Sequence, residues 1–196
     1  GPGRTADEHE SDYEDFFGPL WYAFDHKGCR FIVLYTDEGN PETGERSFSK
    51  PDCQQMSPEQ KSWLADTLAS AGQHRHVFVF CHHPRWRGGQ YGDDWNEVHD
   101  MMAEAGNVTA VFAGHVHRLQ YDGERDGIEY LSLATVGGGL PAEPVAAIGH
   151  LHHVTLVMVR DEGIAMASIP VGGVIDPRAM TADHQAAVQD LLAKAP

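Results

Sequence analysis

The strongest constraint on the fold of this chain is a set of six short apolar runs. They span residues 31–35, 77–81, 108–113, 128–134, 154–159 and 164–169. The first three consist mainly of Val, Ile, Leu, Phe and Ala, which is typical of strands covered on both faces in a parallel sheet. Helical signals separate these three runs, whereas from residue 128 onward the runs follow one another directly. The pattern predicts an α/β fold.

Helix signals lie between the runs and at both ends of the chain. Residues 57–60 read Ser-Pro-Glu-Gln, which predicts a capping box with Ser at the N-cap and Gln three residues later. Asp93 or Asp94 predicts the N-cap of a second helix, and residues 182–193 predict a terminal one. Residues 7–15 hold six carboxylates, which indicates a solvated acidic helix face or a frayed end.

The composition excludes several classes of protein. With 196 residues, of which 41% are hydrophobic, the chain can bury a core, so we expect one domain over residues 1–196 and not a disordered chain. The 29 acidic and 14 basic residues give a net charge of −15, which disfavours binding to nucleic acid. No apolar run approaches the roughly 18 to 20 residues of a membrane span, so we expect a soluble protein. The sequence does not distinguish a cytoplasmic from an exported protein, and Gly-Pro-Gly at residues 1–3 indicates a tag remnant.

Two pairs of histidines follow the second and third apolar runs. These are His82 and His83 before Pro84, and His115 and His117 after Gly114. Ligands of open α/β sheets bind at the carboxyl ends of the strands, which is where these histidines stand. In an extended chain, His115 and His117 would face the same side at roughly 6.5 to 7 Å between Cα atoms. The pattern therefore predicts metal ligation by His82, His115 and His117, with a strand-end structural role as the alternative.

Other polar residues near these positions are weaker candidates. Arg85 and Arg87 follow the His-His-Pro turn and could donate hydrogen bonds to a phosphate, although solvated arginines around a packed Trp86 are the alternative. Residues 149–152 repeat the Gly-His-x-His letters, but a strand follows them instead of preceding them. We therefore expect His150 in a loop near the mouth of a site, not as a metal ligand. Gly-Gly-Gly at residues 137–139 predicts a mobile loop.

Five stretches together resemble the calcineurin-like metallophosphoesterases. They read FFGPLWYAFDHKGCRFIVLYT, MSPEQKSWLADTLA, HVFVFCHHP, VTAVFAGHVH and IEYLSLATVGG. They occur in the order and with the spacing of that family, and the resemblance covers nearly all of residues 13–170. It implies a layered β-sandwich flanked by helices, whose two-metal site hydrolyses phosphate mono- or diesters with a hydroxide that bridges the metals. In that arrangement His82 and His115 bind one metal, His117 binds the other, and His83 lines the site.

The resemblance is restricted to the C-terminal half of the family pattern. The family motifs D-x-H, G-D-x-x-D and G-N-H-D or G-N-H-E do not occur in their expected places. The intact fold would hold two divalent or trivalent ions of Zn, Mn or Fe. Three neutral imidazoles without a bridging carboxylate do not offset the repulsion between two such cations. We therefore expect fewer ions, or none, on this chain alone, and a fragment, a split chain or a chain whose first half has been removed.

Three hypotheses follow for function. The first is a metal-dependent hydrolase of phosphate esters, present as a C-terminal portion that lacks part of its site. The second is a non-catalytic module that binds one ion or none and serves an interaction. In the third, the chain associates with a separate N-terminal half or with itself, which predicts exposed sheet edges.

Overall fold

The computed structural model describes residues 4–47, 49–142, 144–170 and 177–194. Residues 1–3, expected to be a tag remnant, lie outside the described residues. The chain divides into two compact units, residues 1–108 and residues 109–196. Both units combine helices with strands, which confirms the predicted α/β class.

The first unit is a three-stranded sheet with three helices. Its elements are α1 (Ala6–Phe17), β1 (Tyr22–His26), β2 (Cys29–Val33), α2 (Pro58–Ala69), β3 (His76–Cys81) and α3 (Trp95–Ala105). Strand β1 pairs antiparallel with β2, and β2 pairs parallel with β3, with Val33 opposite Phe80. Parallel neighbours need a crossover, which the segment containing α2 provides.

The two faces of this sheet differ in burial. Because side chains alternate along a strand, Ile32 and Val79 share one face, and both are fully buried, as are Leu64 of α2 and Met102 of α3. The opposite face carries Phe31, Val33 and Phe80, which are partly exposed. None of the twelve residues of α1, all of them described, is buried.

The helix starts follow the predicted signals with one difference. The Ser57 hydroxyl accepts a hydrogen bond from the Gln60 amide at 3.1 Å, as an N-cap does. The Gln60 side chain does not return to the cap. Instead it spans the backbone of Tyr35, accepting from its N–H at 3.0 Å and donating to its carbonyl at 2.7 Å. A full capping box forms at α1, where Thr5 caps the helix and Glu8 bonds back to it.

The second unit contains a three-stranded sheet and a separate hairpin. Its elements are β4 (Val108–Ala113), β5 (Gln120–Arg125), β6 (Ile128–Ser132), β7 (His153–Arg160), β8 (Gly163–Pro170) and α4 (Ala182–Ala193). Strand β6 pairs parallel with β4 and antiparallel with β5. Strands β7 and β8 form an antiparallel hairpin. A buried cluster of Leu119, Leu151 and Met180 packs beside Leu133.

No helix in the described parts of the chain has the length and apolar character needed to cross a membrane.

Candidate functional site

The first pair of histidines stands at the carboxyl end of β3, in the first unit. The His82 side chain is exposed, whereas His83 is buried, and the two rings are nearly perpendicular with centroids 5.0 Å apart. At the last residue of β3, the Cys81 thiol donates to the His83 carbonyl at 3.3 Å. Burial raises the pKa of the Cys81 thiol to about 12, so the thiol is protonated in the metal-free chain.

A buried carboxylate orients His83. The ring Nδ1 lies 2.9 Å from Asp37 Oδ2, and both side chains are 4% exposed. The carboxylate accepts, so Nδ1 carries the proton and Nε2 points away from Asp37. The Thr36 hydroxyl donates to the same carboxylate oxygen at 3.3 Å. Sequence reasoning missed Asp37, although its place just beyond β2, the parallel neighbour of β3, was the available signal.

The arginine that follows Pro84 is an internal structural residue. The Arg85 side chain is fully buried; its Nη1 donates to the Thr36 carbonyl at 2.6 Å, and its Nη2 forms an ion pair with Asp94. Asp94 occupies the N-cap position of α3, as predicted, but its side chain makes no capping hydrogen bond. Its carboxylate accepts from the Met56 amide at 3.2 Å instead. The Arg85 guanidinium therefore connects the His-His-Pro turn to the loop that follows β2, through the Thr36 carbonyl.

The next two residues differ in their surroundings. The Trp86 ring lies 6.0 Å from that of Trp95, measured between centroids. Arg87 is partly exposed and is the last residue of a short 3₁₀ helix, Arg85–Arg87. Of the two predicted arginines, Arg87 is the one with solvent access.

A cavity of about 430 Å³ adjoins His82 within the first unit. Its walls come from α1 on one side and from β2 and β3 on the other. The residues that line it are His9, Glu10, Tyr13, Leu20, Val33, Leu34, Tyr35, Phe80, Cys81 and His82. No sequence pattern indicated this cavity, because helix α1 and the strands that enclose it are distant in the sequence.

The second pair of histidines lies in the second unit, immediately after β4. The backbone does not stay extended there: φ is +65° at His115 and +48° at His117. The extended conformation considered for His115 and His117 is therefore wrong, because the chain bends at each histidine. Left-handed conformations of residues other than glycine are uncommon and cluster at functional sites.

A glycine loop orients His117. Its Nδ1 lies 2.6 Å from the Gly139 carbonyl, an acceptor, so Nδ1 donates and Nε2 carries no proton when the ring is neutral. The Thr135 hydroxyl accepts from the amides of Gly137 and Gly138 and folds the loop back. A Cβ at Gly138 would lie 3.1 Å from the His117 ring, so the loop approaches the histidine closely. The predicted mobile loop is thus tied to a candidate ligand.

His150 lies in the loop before β7, as predicted for the second Gly-His-x-His sequence. Burial and the nearby charge of Arg118 lower its pKa. Gly149, directly before it, has φ +86° and packs against the backbone of Leu119. The structure thus places His150 in a packed loop of the second unit.

Comparisons with known proteins identify the family. The family model of the calcineurin-like phosphoesterases matches residues 6–119, which is more than half of the chain. A dimetal phosphatase from Danio rerio superposes with a TM-score of 0.54 at 16% identity, over 82% of this chain and 62% of the phosphatase. At that identity the likeness shows the fold alone, and the chain spans less than two thirds of that protein.

A second solved structure, a sulfate thiohydrolase SoxB from Thermus thermophilus in complex with glycerol, gives a TM-score of 0.39. Its identity is 15%, and the match covers 91% of this chain and 30% of that protein. A TM-score of this size does not establish a common fold. No curated protein sequence matches the chain.

Proposed function

Because the chain belongs to the calcineurin-like phosphoesterase family, we propose that it takes part in metal-dependent hydrolysis of phosphate mono- or diesters. In this proposal His82, His115 and His117 are its metal ligands. The observation that carries it is His117, whose left-handed backbone and Nδ1 hydrogen bond prepare Nε2 for a metal. A solvated surface histidine needs neither feature.

The donor set fits the metals that the family implies. Neutral imidazole binds Zn, Mn and Fe ions, and the Gly139 carbonyl supports the ring tautomer that ligation through Nε2 requires. When bound, a pair of such ions supplies Lewis acidity to a phosphoryl group and lowers the pKa of water. This chain's own contribution is to hold and orient imidazoles at the ends of β3 and β4.

Substrate contacts are assigned to three side chains near these histidines. Arg87 offers a partly exposed guanidinium for phosphate oxygens, and His83 and His150 remain the other two proposed contacts. Arg85 is given a different role, because its guanidinium is already held by Asp94 and by a backbone carbonyl. It supports the turn that carries His82.

In this proposal the carboxylate ligands of the family come from a separate N-terminal half. Association with that half, or self-association of the chain as the alternative, is supported by exposed apolar side chains. Phe16 and Phe17 of α1 are 81% and 74% exposed, and Phe24 of β1 is 50% exposed. Exposed apolar patches of this kind are typical of interaction surfaces.

The test is a metal titration with matched variants. We expect zinc or manganese to bind the wild-type chain, and His117→Ala and His82→Ala to weaken binding at least about tenfold. His184→Ala, in exposed α4, is the control and should leave metal affinity unchanged. Equal metal affinity in all variants would refute the proposed ligands.

Hydrolysis separates the enzyme from the second candidate, a non-catalytic module. We expect 4-nitrophenyl phosphate and its bis-ester to be hydrolysed only when a polypeptide carrying the D-x-H, G-D-x-x-D and G-N-H-D or G-N-H-E motifs is added to the chain. Turnover by the chain alone, with two ions bound, would reject both the incomplete site and the module. Metal binding through the three histidines without turnover in any combination would favour the module.

A further inference from the structure

The cavity beside His82 has a composition that selects a class of ligand. We infer that it binds an apolar, ring-sized group, and, on the basis of the proposed function, that this is the alcohol portion of a phosphate ester. Substrates would then be aryl or branched alkyl phosphates, not phosphates of sugars or polyols.

The size of the cavity is that of a ligand site. The cavity opens to solvent, as the clefts that bind small molecules do. A space of about 430 Å³ lies within the range of roughly 300 to 1,000 Å³ usual for small-molecule pockets. A ring system of about ten heavy atoms fits within it.

The walls of the cavity are mostly apolar. Val33 and Phe80 face each other across the parallel pair of β2 and β3, and Leu20 and Tyr13 complete the wall. Parallel strands are normally covered on both faces. Helix α1, however, buries none of its own residues against the face of β2 and β3 that carries Val33 and Phe80. Apolar surface therefore remains for a ligand to cover.

The polar groups of the wall are already engaged. The Tyr35 hydroxyl donates to Glu10 Oε1 at 2.6 Å, and Arg46 pairs with the same carboxylate. Burial and the Glu10 carboxylate raise the pKa of Tyr35, so this phenol remains a donor. The Cys81 thiol is bonded to a backbone carbonyl. A polyol would lose its hydrogen bonds to water without finding partners here, whereas the release of water from an apolar ring favours binding.

The same contacts favour a small molecule over a polypeptide strand. Helix α1 is anchored over the cavity through Glu10, which bonds both Tyr35 and Arg46. A strand would have to displace that helix to cover β2 and β3. A ring-sized ligand can occupy the existing space, with its ester oxygen directed towards His82 at the end of β3.

Binding of 2-naphthol to the metal-free chain tests this inference without requiring hydrolysis. We expect 2-naphthol to bind, as followed by protein NMR shifts at Tyr13, Val33 and Tyr35, and myo-inositol not to bind. Val33→Phe fills the cavity and should weaken naphthol binding at least about tenfold. Val154→Phe, at an exposed position of β7, is the matched control and should change it less than about twofold.

Two results would overturn the inference: equal binding of myo-inositol, or naphthol affinity unaffected by Val33→Phe. If Val33→Phe fails to fold, Leu20→Phe provides the second filled variant with the same expectations. Because this experiment uses neither a metal nor an ester, naphthol binding decides the nature of the cavity, whereas the metal titration of the histidine variants decides the proposed function separately.

Discussion

At the scale of single residues, His153 has the least favourable environment of the described histidines. The residue is 7% exposed, and neither ring nitrogen has a hydrogen-bond partner among the described residues. Only its backbone is bonded, with the amide donating to the Thr135 carbonyl at 3.2 Å. Burial lowers the pKa of the ring, so the folded chain holds His153 in its neutral form.

This environment predicts a stability that depends on pH. The folded-state pKa lies below the unfolded value of about 6.5, so the unfolded chain binds more protons as the pH falls below that value. His153 should therefore destabilise the fold increasingly on acidification. His153→Leu removes two unpaired nitrogens and should raise the free energy of unfolding at pH 7.5 by about 1 to 2 kcal/mol. The gain should be larger at pH 5.5.

Urea denaturation at the two pH values measures both effects. His184→Leu, at an exposed position in the first turn of α4, is the control and should change neither value appreciably. An unchanged difference between pH 7.5 and pH 5.5 in His153→Leu would show that this ring does not cause the acid sensitivity.

A second prediction concerns the buried pair of Asp37 and His83. Asp37→Ala leaves the His83 Nδ1–H without its acceptor and should cost about 1 to 3 kcal/mol of stability. Asp37→Asn keeps an oxygen acceptor of the same shape, so it should cost less. Thermal unfolding of the two variants compares them directly, and equal losses would mean that the pair acts through packing alone.

At the scale of structural elements, Gly92 is the position where the backbone is most restricted next to the His-His-Pro turn. Its φ is +80°, and a Cβ there would lie 2.7 Å from both the Gln54 carbonyl and Arg85 Nη2. Gly88 has a similar φ of +61°, but no described atom lies within 4 Å of a Cβ there. An alanine at Gly88 would therefore add backbone strain alone, whereas an alanine at Gly92 would add backbone strain and a steric clash.

Both alanine variants should lose roughly 1 to 3 kcal/mol, because both glycines combine a positive φ with an extended ψ, which residues with a Cβ rarely adopt. Gly92→Ala should lose more, because the Gln54 carbonyl is backbone and the Arg85 guanidinium is held by Asp94. Denaturant unfolding gives the two values. Equal losses at both positions would show that the loop around Gly92 yields to the added methyl group.

The elements also show what a sequence can predict. The six apolar runs became β2, β3, β4, β6, β7 and β8, because strands buried on at least one face need apolar side chains. Strands β1 and β5 were missed. Both lie at sheet edges and carry mostly polar or exposed residues, so no apolar period marks them.

The candidate ligands could be placed because strand ends are visible in sequence, whereas their supports could not. Asp37 is 46 residues from His83, and Gly139 is 22 residues from His117. Such pairs depend on how strands are ordered in the sheet and how loops fold back. The left-handed turns at His115 and His117 also lack a sequence signal, because glycine and not histidine is the residue that marks them.

At the scale of the whole molecule, the β7–β8 hairpin presents an apolar face to solvent. Val154, Leu156 and Met158 alternate along β7 and are 56%, 49% and 43% exposed, and Ile169 pairs with Val154 on the same face. An apolar face of this kind is costly in water and favours association with another chain. In a purified preparation of this chain, a second copy is the available partner.

We therefore expect the purified chain to self-associate, with a molecular mass that rises with concentration in size-exclusion chromatography with light scattering. Leu156→Arg places a charge in the centre of the face and should weaken association at least about tenfold, because the charge loses hydration on burial. Leu192→Arg is the matched control: Leu192 on α4 is also 49% exposed but lies outside the hairpin face. If both variants weaken association equally, the added surface charge and not the hairpin face is the cause. If neither variant weakens association, copies of the chain contact each other elsewhere. The exposed aromatic residues of α1 and β1 are then the surface to vary.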